Sequence, residues 1–177
     1  MDSSHIKLLS ATATGDKRAF SELYQNTSGR LYAVCLQLLQ RKDLAEEAMQ
    51  EAYVRIWHNA CDYHSDKGSV IVWMISIARY RALDILRSAA HKRERGETDH
   101  EPSSDHTPEV SLFDERERAR IDECMDTLDD VQRQTIQLAY FRGLTHSELC
   151  VHTGSPLGSI KSWIRRGLQT LKRCLER

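Results

Sequence analysis

At 177 residues the chain has room for one domain or two small ones and is too short for a typical barrel enzyme. With 40% hydrophobic and 29% charged residues it can build a core, which excludes disorder throughout. Lys+Arg number 25 and Asp+Glu 26, so a net charge of -1 gives no hint of a nucleic-acid partner, and the informative signal is how unevenly the charges are spread.

Met1 to Ser10 has no apolar stretch fit for a signal peptide, and the longest strictly apolar run, Val70 to Ile75, falls far short of a membrane span. A cytoplasmic chain with no direct membrane insertion is therefore expected. The cysteines (Cys35, Cys61, Cys124, Cys150, Cys174) are scattered, odd in number and without a CxxC pair, so neither a disulfide framework nor a zinc ribbon is indicated. His146, Cys150 and His152 lie close together, but Cys150 falls at an apolar helix position and fits a packed thiol better than a metal ligand. No metal and no cofactor are expected.

Helical periodicity dominates and strand signals are nearly absent, so the fold class is all-α. Phe20, Leu23, Tyr24, Leu31, Val34, Cys35, Leu38 and Leu39 recur at three- and four-residue steps, with Gly29 as a break or close approach. Next, DLAEEAMQEAYVRIW (43–57) places Leu44/Ala45, Ala48/Met49, Ala52/Tyr53 and Ile56/Trp57 on one stripe, with Asp43 as the natural N-cap. Glu46, Glu47, Gln50, Glu51 and Arg55 fall opposite, either a docking face for a basic partner or simply solvated surface. A loop, NACDYHSDKGS (59–69), leads into a helix over Val70 to Arg87. Its non-core face is assigned Trp73, Tyr80 and Arg81. From Arg79 to Arg95 six basic residues meet two acids, Asp84 and Glu94. Cationic groups interleaved with rings suit capture of single-stranded bases, although Trp73 fits a core position equally well.

The segment ETDHEPSSDHTPE (97–109) holds five acids and two prolines, with no Lys or Arg, and reads as a mobile linker. Two small helical domains are thus expected, 16–95 and 112–177, joined through 96–111. In the second, Asp129 or Asp130 caps a helix to Arg142, and Gly143 ends it in a left-handed C′ position. Thr145 and Glu148 form a capping box, Gly154 permits a tight turn, and Ser155-Pro156 opens a final helix. That helix carries Leu157, Ile160, Ile164, Leu168, Leu171 and Leu175 on one side and Ser159, Lys161, Ser162, Trp163, Arg165 and Arg166 on the other. The last 23 residues hold six Lys/Arg against one acid. A short helix, a glycine turn and a basic helix make the helix-turn-helix arrangement, whose second helix suits a DNA major groove; a solvated amphipathic terminal helix is the plainer alternative. No phosphate loop, nucleophile elbow or metal motif supports an enzyme. An operator-binding repressor remains as a competitor, without an obvious dimer heptad.

These residues resemble the extracytoplasmic-function sigma factors of bacterial RNA polymerase. DLAEEAMQEAYVRIW is similar to the family's core-binding segment, KGSVIVWMISIARYRALDILR to its melting and minus-ten segment, and LDDVQRQTIQLAYFRGLTHSELCVHTGSPLGSIKSWIRRGLQTLKRCL to its minus-thirty-five domain. That last stretch, together with WHNACDYHSDKGS, is closest to the subgroup governed by membrane-anchored anti-sigma factors. The resemblance implies a non-enzymatic factor that initiates transcription of a regulon. Its partners would be core RNA polymerase (the β′ clamp helices and the β flap), promoter DNA in double- and single-stranded form, and an anti-sigma factor. By position, Glu47, Gln50, Glu51 and Arg55 would face the clamp. The loop with Asp62, Tyr63, His64 and Lys67 would receive a flipped minus-ten base. Trp73, Arg79, Tyr80 and Arg81 would hold the opened strand, and Ser159, Lys161, Ser162, Trp163, Arg165 and Arg166 would meet the upstream element. Trp163 and Tyr80 depart from the family's usual polar residue and usual Asn.

Overall fold

The computed structural model describes residues 2–94 and 115–176, and they are helical with no strand among them. The expected linker 96–111 lies outside the described residues. The chain divides into two compact units, Met1–Val110 and Ser111–Arg177.

The first unit contains α1 (Asp2–Ala13), α2 (Lys17–Leu39), α3 (Lys42–Asn59) and α4 (Val70–Glu94), with short 3-10 turns at Ala60–Asp62 and Ser65–Lys67 within the expected loop. Helix α1 precedes the block that periodicity picked out, and it is no loose end. Leu9 is 1% exposed, and the buried Thr12 hydroxyl donates to the Leu8 carbonyl at 2.8 Å. Asp16 then caps α2 by accepting from the backbone N–H groups of Arg18 (2.8 Å) and Ala19 (3.2 Å).

Gly29 does not break α2, which runs unbroken from Lys17 to Leu39. A lone exposed glycine costs about 1 kcal/mol relative to alanine, and the stripe buried around it (Leu23, Thr27, Leu31, Cys35) outweighs that. The helix ends instead at Gln40, held at φ 57 with its N–H bonded to the Leu36 carbonyl. Asp43 is not the cap of α3. The cap position is Arg41, and Asp43 sits in the first turn, where the Arg41 guanidinium bonds it and holds its carboxyl below the usual range. The core stripe is otherwise as the periodicity implies: Ala45, Ala48, Ala52 and Ile56 of α3 and Met74, Ala78 and Ala82 of α4 are fully buried in one cluster. Small side chains on both helices let the two backbones approach closely.

The second unit contains α5 (Glu115–Asp126), α6 (Asp130–Phe141), α7 (His146–Thr153) and α8 (Leu157–Leu175). Arg133 on α6 caps the end of α5. Its Nε donates to the Met125 carbonyl at 3.1 Å and its Nη2 to that of Asp126 at 3.1 Å. The largest departure from the sequence reading lies here: Cys124 and Cys174 form a disulfide. Spacing rules detect clustered cysteines; this pair is separated by 50 residues and is brought together only when α5 packs on α8. Cys35, Cys61 and Cys150 are free thiols, and Cys150 packs half-buried against the Leu149/Ile160/Ile164 cluster.

Two further details of α8 differ from expectation. Pro156, not Ser155, occupies the cap position, with no side-chain cap bond. The buried stripe passes through Ile160, Ile164 and Gly167, leaving Leu157, Leu168 and Leu175 substantially exposed. Gly167 explains the tilt. A methyl there would lie 2.6 Å from Ile136 Cδ1 and 3.4 Å from Gln132 Cβ, so α6 and α8 meet where no side chain intervenes.

Candidate nucleic-acid and polymerase interfaces

Three surfaces follow, two on the first unit and one on the second. The outward face of α3 carries Glu47, Gln50 and Arg55, all exposed, and Glu51, half-buried. Val54 stands among them with 57% of its surface exposed. Stripe counting passed over Val54, because an isolated apolar residue on a polar face leaves no periodic trace. Only its exposure in the folded helix marks it.

In the 60–69 loop, Asp62, His64 and Lys67 are exposed and Tyr63 is half-buried. The Tyr63 hydroxyl donates to the Gly68 carbonyl at 2.8 Å, across the loop it belongs to. Gly68 has φ 137, a backbone state that favours glycine. The Tyr63 ring meets Trp73 edge-on, with centroids 5.8 Å apart. Trp73 is half-buried against the core cluster, as the core reading expects, and its contact with Tyr63 also braces the loop.

On α4, Tyr80 is 59% exposed and Arg79 is half-buried. Val72, about two helical turns back, is as open as Tyr80. Arg81 does not share that outer face. It turns toward α3, where its guanidinium bonds Glu51 and, at 2.9 Å, Asp84. Two residues assigned to different surfaces, Glu51 and Arg81, are thus an ion pair. Asp84, an isolated acid in a basic run, is their third member; the sequence displayed it without indicating its partner.

In the second unit the helix-turn-helix is built by local chemistry. Gly143 has φ 71, and the Leu144 N–H reaches the Leu138 carbonyl at 3.2 Å. The capping box of α7 is complete: Thr145 N–H donates to Glu148 Oε2 at 2.6 Å and Glu148 N–H to Thr145 Oγ1 at 3.2 Å. Gly154 ends α7 in the left-handed region at φ 67. These constraints present α8 with Lys161, Arg165 and Arg166 exposed on one side. Ser159, Ser162 and Trp163 are half-buried, and the Trp163 ring packs on Leu149, Ile160 and Ile164. The described residues contain no group of three or more His, Cys, Asp and Glu disposed to hold a metal, and none of their helices is long and apolar enough to cross a membrane.

Residues 23–92 match the family model of sigma-70 region 2, and residues 118–171 match that of sigma-70 region 4. The fold thus defines a sigma-70-class transcription factor, with one helical unit for each region. The ECF RNA polymerase sigma factor SigK of Mycolicibacterium vanbaalenii is 38% identical over 172 residues, covering 95% of this chain and 87% of the relative. SigK of Mycobacterium tuberculosis (strain H37Rv) is 37% identical over 173 residues, 96% of this chain and 92% of the relative. The chain belongs to the ECF RNA polymerase sigma factors, non-enzymatic proteins that direct promoter-specific initiation of transcription. Among solved structures, Rhodobacter sphaeroides SigE in complex with the anti-sigma ChrR is 29% identical, with TM-score 0.49 over 98% of both chains. CnrH in complex with the cytosolic domain of CnrY is 18% identical, with TM-score 0.45 over 98% of this chain and 97% of that one.

Proposed function

We propose a division of labour within this sigma factor. The region-2 unit, 16–95, grips the polymerase clamp through the outer face of α3, with Glu47, Gln50, Glu51 and Arg55 as the polar contacts. The 60–69 loop with Asp62, Tyr63, His64 and Lys67 receives an extruded minus-ten base, and Trp73, Arg79 and Tyr80 hold the opened strand beside it. The region-4 unit, 112–177, docks α8 at the minus-thirty-five element through Ser159, Lys161, Ser162, Arg165 and Arg166, with Trp163 stiffening the helix, and meets the β flap. The observation that carries this reading is α8 itself: a capped, glycine-turned helix pair whose second member exposes Lys161, Arg165 and Arg166 while Ile160, Ile164 and Gly167 anchor it to the rest of the unit.

Physically, neither unit has to bind promoter tightly alone. Being on one chain and one polymerase raises the effective concentration of each at its element. Unstacking a base costs a few kcal/mol, and a loop braced in advance by Tyr63 and Trp73 meets that cost without also having to order itself. A net charge of -1 keeps the free factor from binding DNA indiscriminately. The likeness of WHNACDYHSDKGS to the subgroup held by membrane-anchored inhibitors supports an anti-sigma factor of that kind as the remaining partner.

The test is transcription with purified core polymerase, alongside gel shifts with and without it. Promoter DNA is shifted only when polymerase is present; a shift by the free chain alone would favour the repressor reading. Arg166→Ala lowers promoter-dependent initiation about tenfold while polymerase binding holds. Gln50→Ala with Glu51→Ala lowers co-purification with polymerase. Equal loss of both activities in both variants contradicts the division.

A further inference from the structure

Arg81 occupies an unusual place for a cation in a basic segment. Its side chain is only 17% exposed, wedged between α3 and α4. One guanidinium nitrogen bonds Glu51 on α3 and another bonds Asp84 one turn along α4 at 2.9 Å. The side-chain Nε is buried and finds no acceptor among the described residues. A planar fork held by two acceptors has little freedom to swing toward a nucleic acid, and moving it would break both of its ion pairs. Glu51, at the other end of the pair, stays 42% exposed on the same face of α3 as Gln50 and Val54. Arg79 and Tyr80, the neighbours of Arg81 in sequence, stand on the side of α4 read above as the strand-holding one.

One ion pair therefore joins the two working faces of the first unit. We propose that Arg81 is a positioning residue rather than a strand contact. Through Glu51 it fixes the acidic face of α3 against α4, so that engagement of the polymerase and capture of the opened strand are energetically coupled. A change at the polymerase end is felt by the strand, and a change at Arg81 is felt by the polymerase. This rests on the assignment of the α3 and α4 faces made above. It differs from a plain structural ion pair in predicting crossed effects on binding, beyond any loss of folding stability.

The experiment uses the full chain and core polymerase. Fluorescence anisotropy gives the affinity of Arg81→Gln, Glu51→Gln, Arg81→Lys and the Gln double variant for core polymerase. The same variants, at saturating polymerase, are then titrated against a forked DNA with a single-stranded minus-ten segment. Arg81→Gln weakens polymerase binding at least about threefold although its side chain is nearly covered, and the double variant is no weaker than Glu51→Gln, since both remove the same link. Glu51→Gln weakens fork binding at saturating polymerase by a similar factor. Arg81→Lys, which keeps the charge but not the two-carboxylate span, restores part of each loss. Should Arg81→Gln unfold the helices, judged by circular dichroism, Glu51→Gln decides alone, since its side chain is 42% exposed and leaves no buried cavity when neutralised. Additive losses in the double variant, or fork binding untouched by Glu51→Gln, overturn the coupling. Loss of fork binding by Arg81→Gln with full polymerase affinity restores Arg81 as an ordinary DNA contact. A wild-type holoenzyme that ignores the fork refutes the reading of α4 itself, and the proposal with it.

Discussion

Tyr53 carries the clearest proton linkage in the first unit. Burial pushes its phenol up to about 12 from an ordinary 10.0, against a smaller opposing effect of the hydrogen bond with Thr27 at 2.7 Å. Burial likewise pushes the Cys35 thiol up to about 11 from 9.0. Both groups hold their protons in the fold at pH values where the unfolded chain has released them. The stability they support is whole below the unfolded values and declines as pH rises, between 9 and 11 for Cys35 and between 10 and 12 for Tyr53. For Tyr53 the loss amounts to about 2–3 kcal/mol. Base titration followed by circular dichroism should show it, and Tyr53→Phe should flatten the decline above pH 10, at a cost of about 1 kcal/mol near neutrality from the lost hydrogen bond. A variant that unfolds along the wild-type curve above pH 10 would falsify this linkage.

At the level of the element, the contact between α6 and α8 depends on a missing side chain. Gly167→Ala introduces a methyl against Ile136 and should cost the second unit about 1–3 kcal/mol. Ile136→Val removes the Cδ1 atom that the methyl would strike, so the double variant should recover part of the melting temperature lost by Gly167→Ala. No recovery would mean that Gln132, 3.4 Å away, sets the limit. Elements whose ends are written in local chemistry were legible in the sequence. The capping box of α7, the glycines Gly143 and Gly154, and the four-residue apolar repeat within α3 all depend on residues within a turn or two of each other. Elements made by docking were not. Helix α5 reads ERERARIDECMD, too polar for its buried side to stand out, and it is completed by Arg133 and the α8 contact. Gln40 ends α2 with a backbone state that glycine usually marks, so a rule watching for glycine passed over it and singled out Gly29, as a break or close approach, instead. The candidate surfaces divide in the same way. Their residue types were visible, but the link between Glu51 and Arg81 is tertiary.

Over the whole molecule, the two units are sustained by different means. The first buries a continuous cluster drawn from all four of its helices, with Leu9 supplied by α1. The second has a smaller core and adds a covalent tie between Cys124, 2% exposed, and Cys174. Closing a loop with a sequence separation of 50 residues lowers the entropy of the unfolded chain enough to stabilise the fold by about 4 kcal/mol. Reduction, or Cys124→Ala with Cys174→Ala, should therefore lower the urea midpoint of the second unit and leave the first unit's transition in place. Coincident shifts in both would show that the units unfold together.

The tie has a topological consequence as well. Every residue of α6 and α7, and α8 as far as Cys174, lies inside the ring it closes. A single cut anywhere in that ring would leave both pieces attached, so a nicked second unit migrates as one species on a gel until thiols are added and only then falls into two. Wear on the turn between α7 and α8 would thus stay hidden from any assay that weighs the molecule under oxidising conditions.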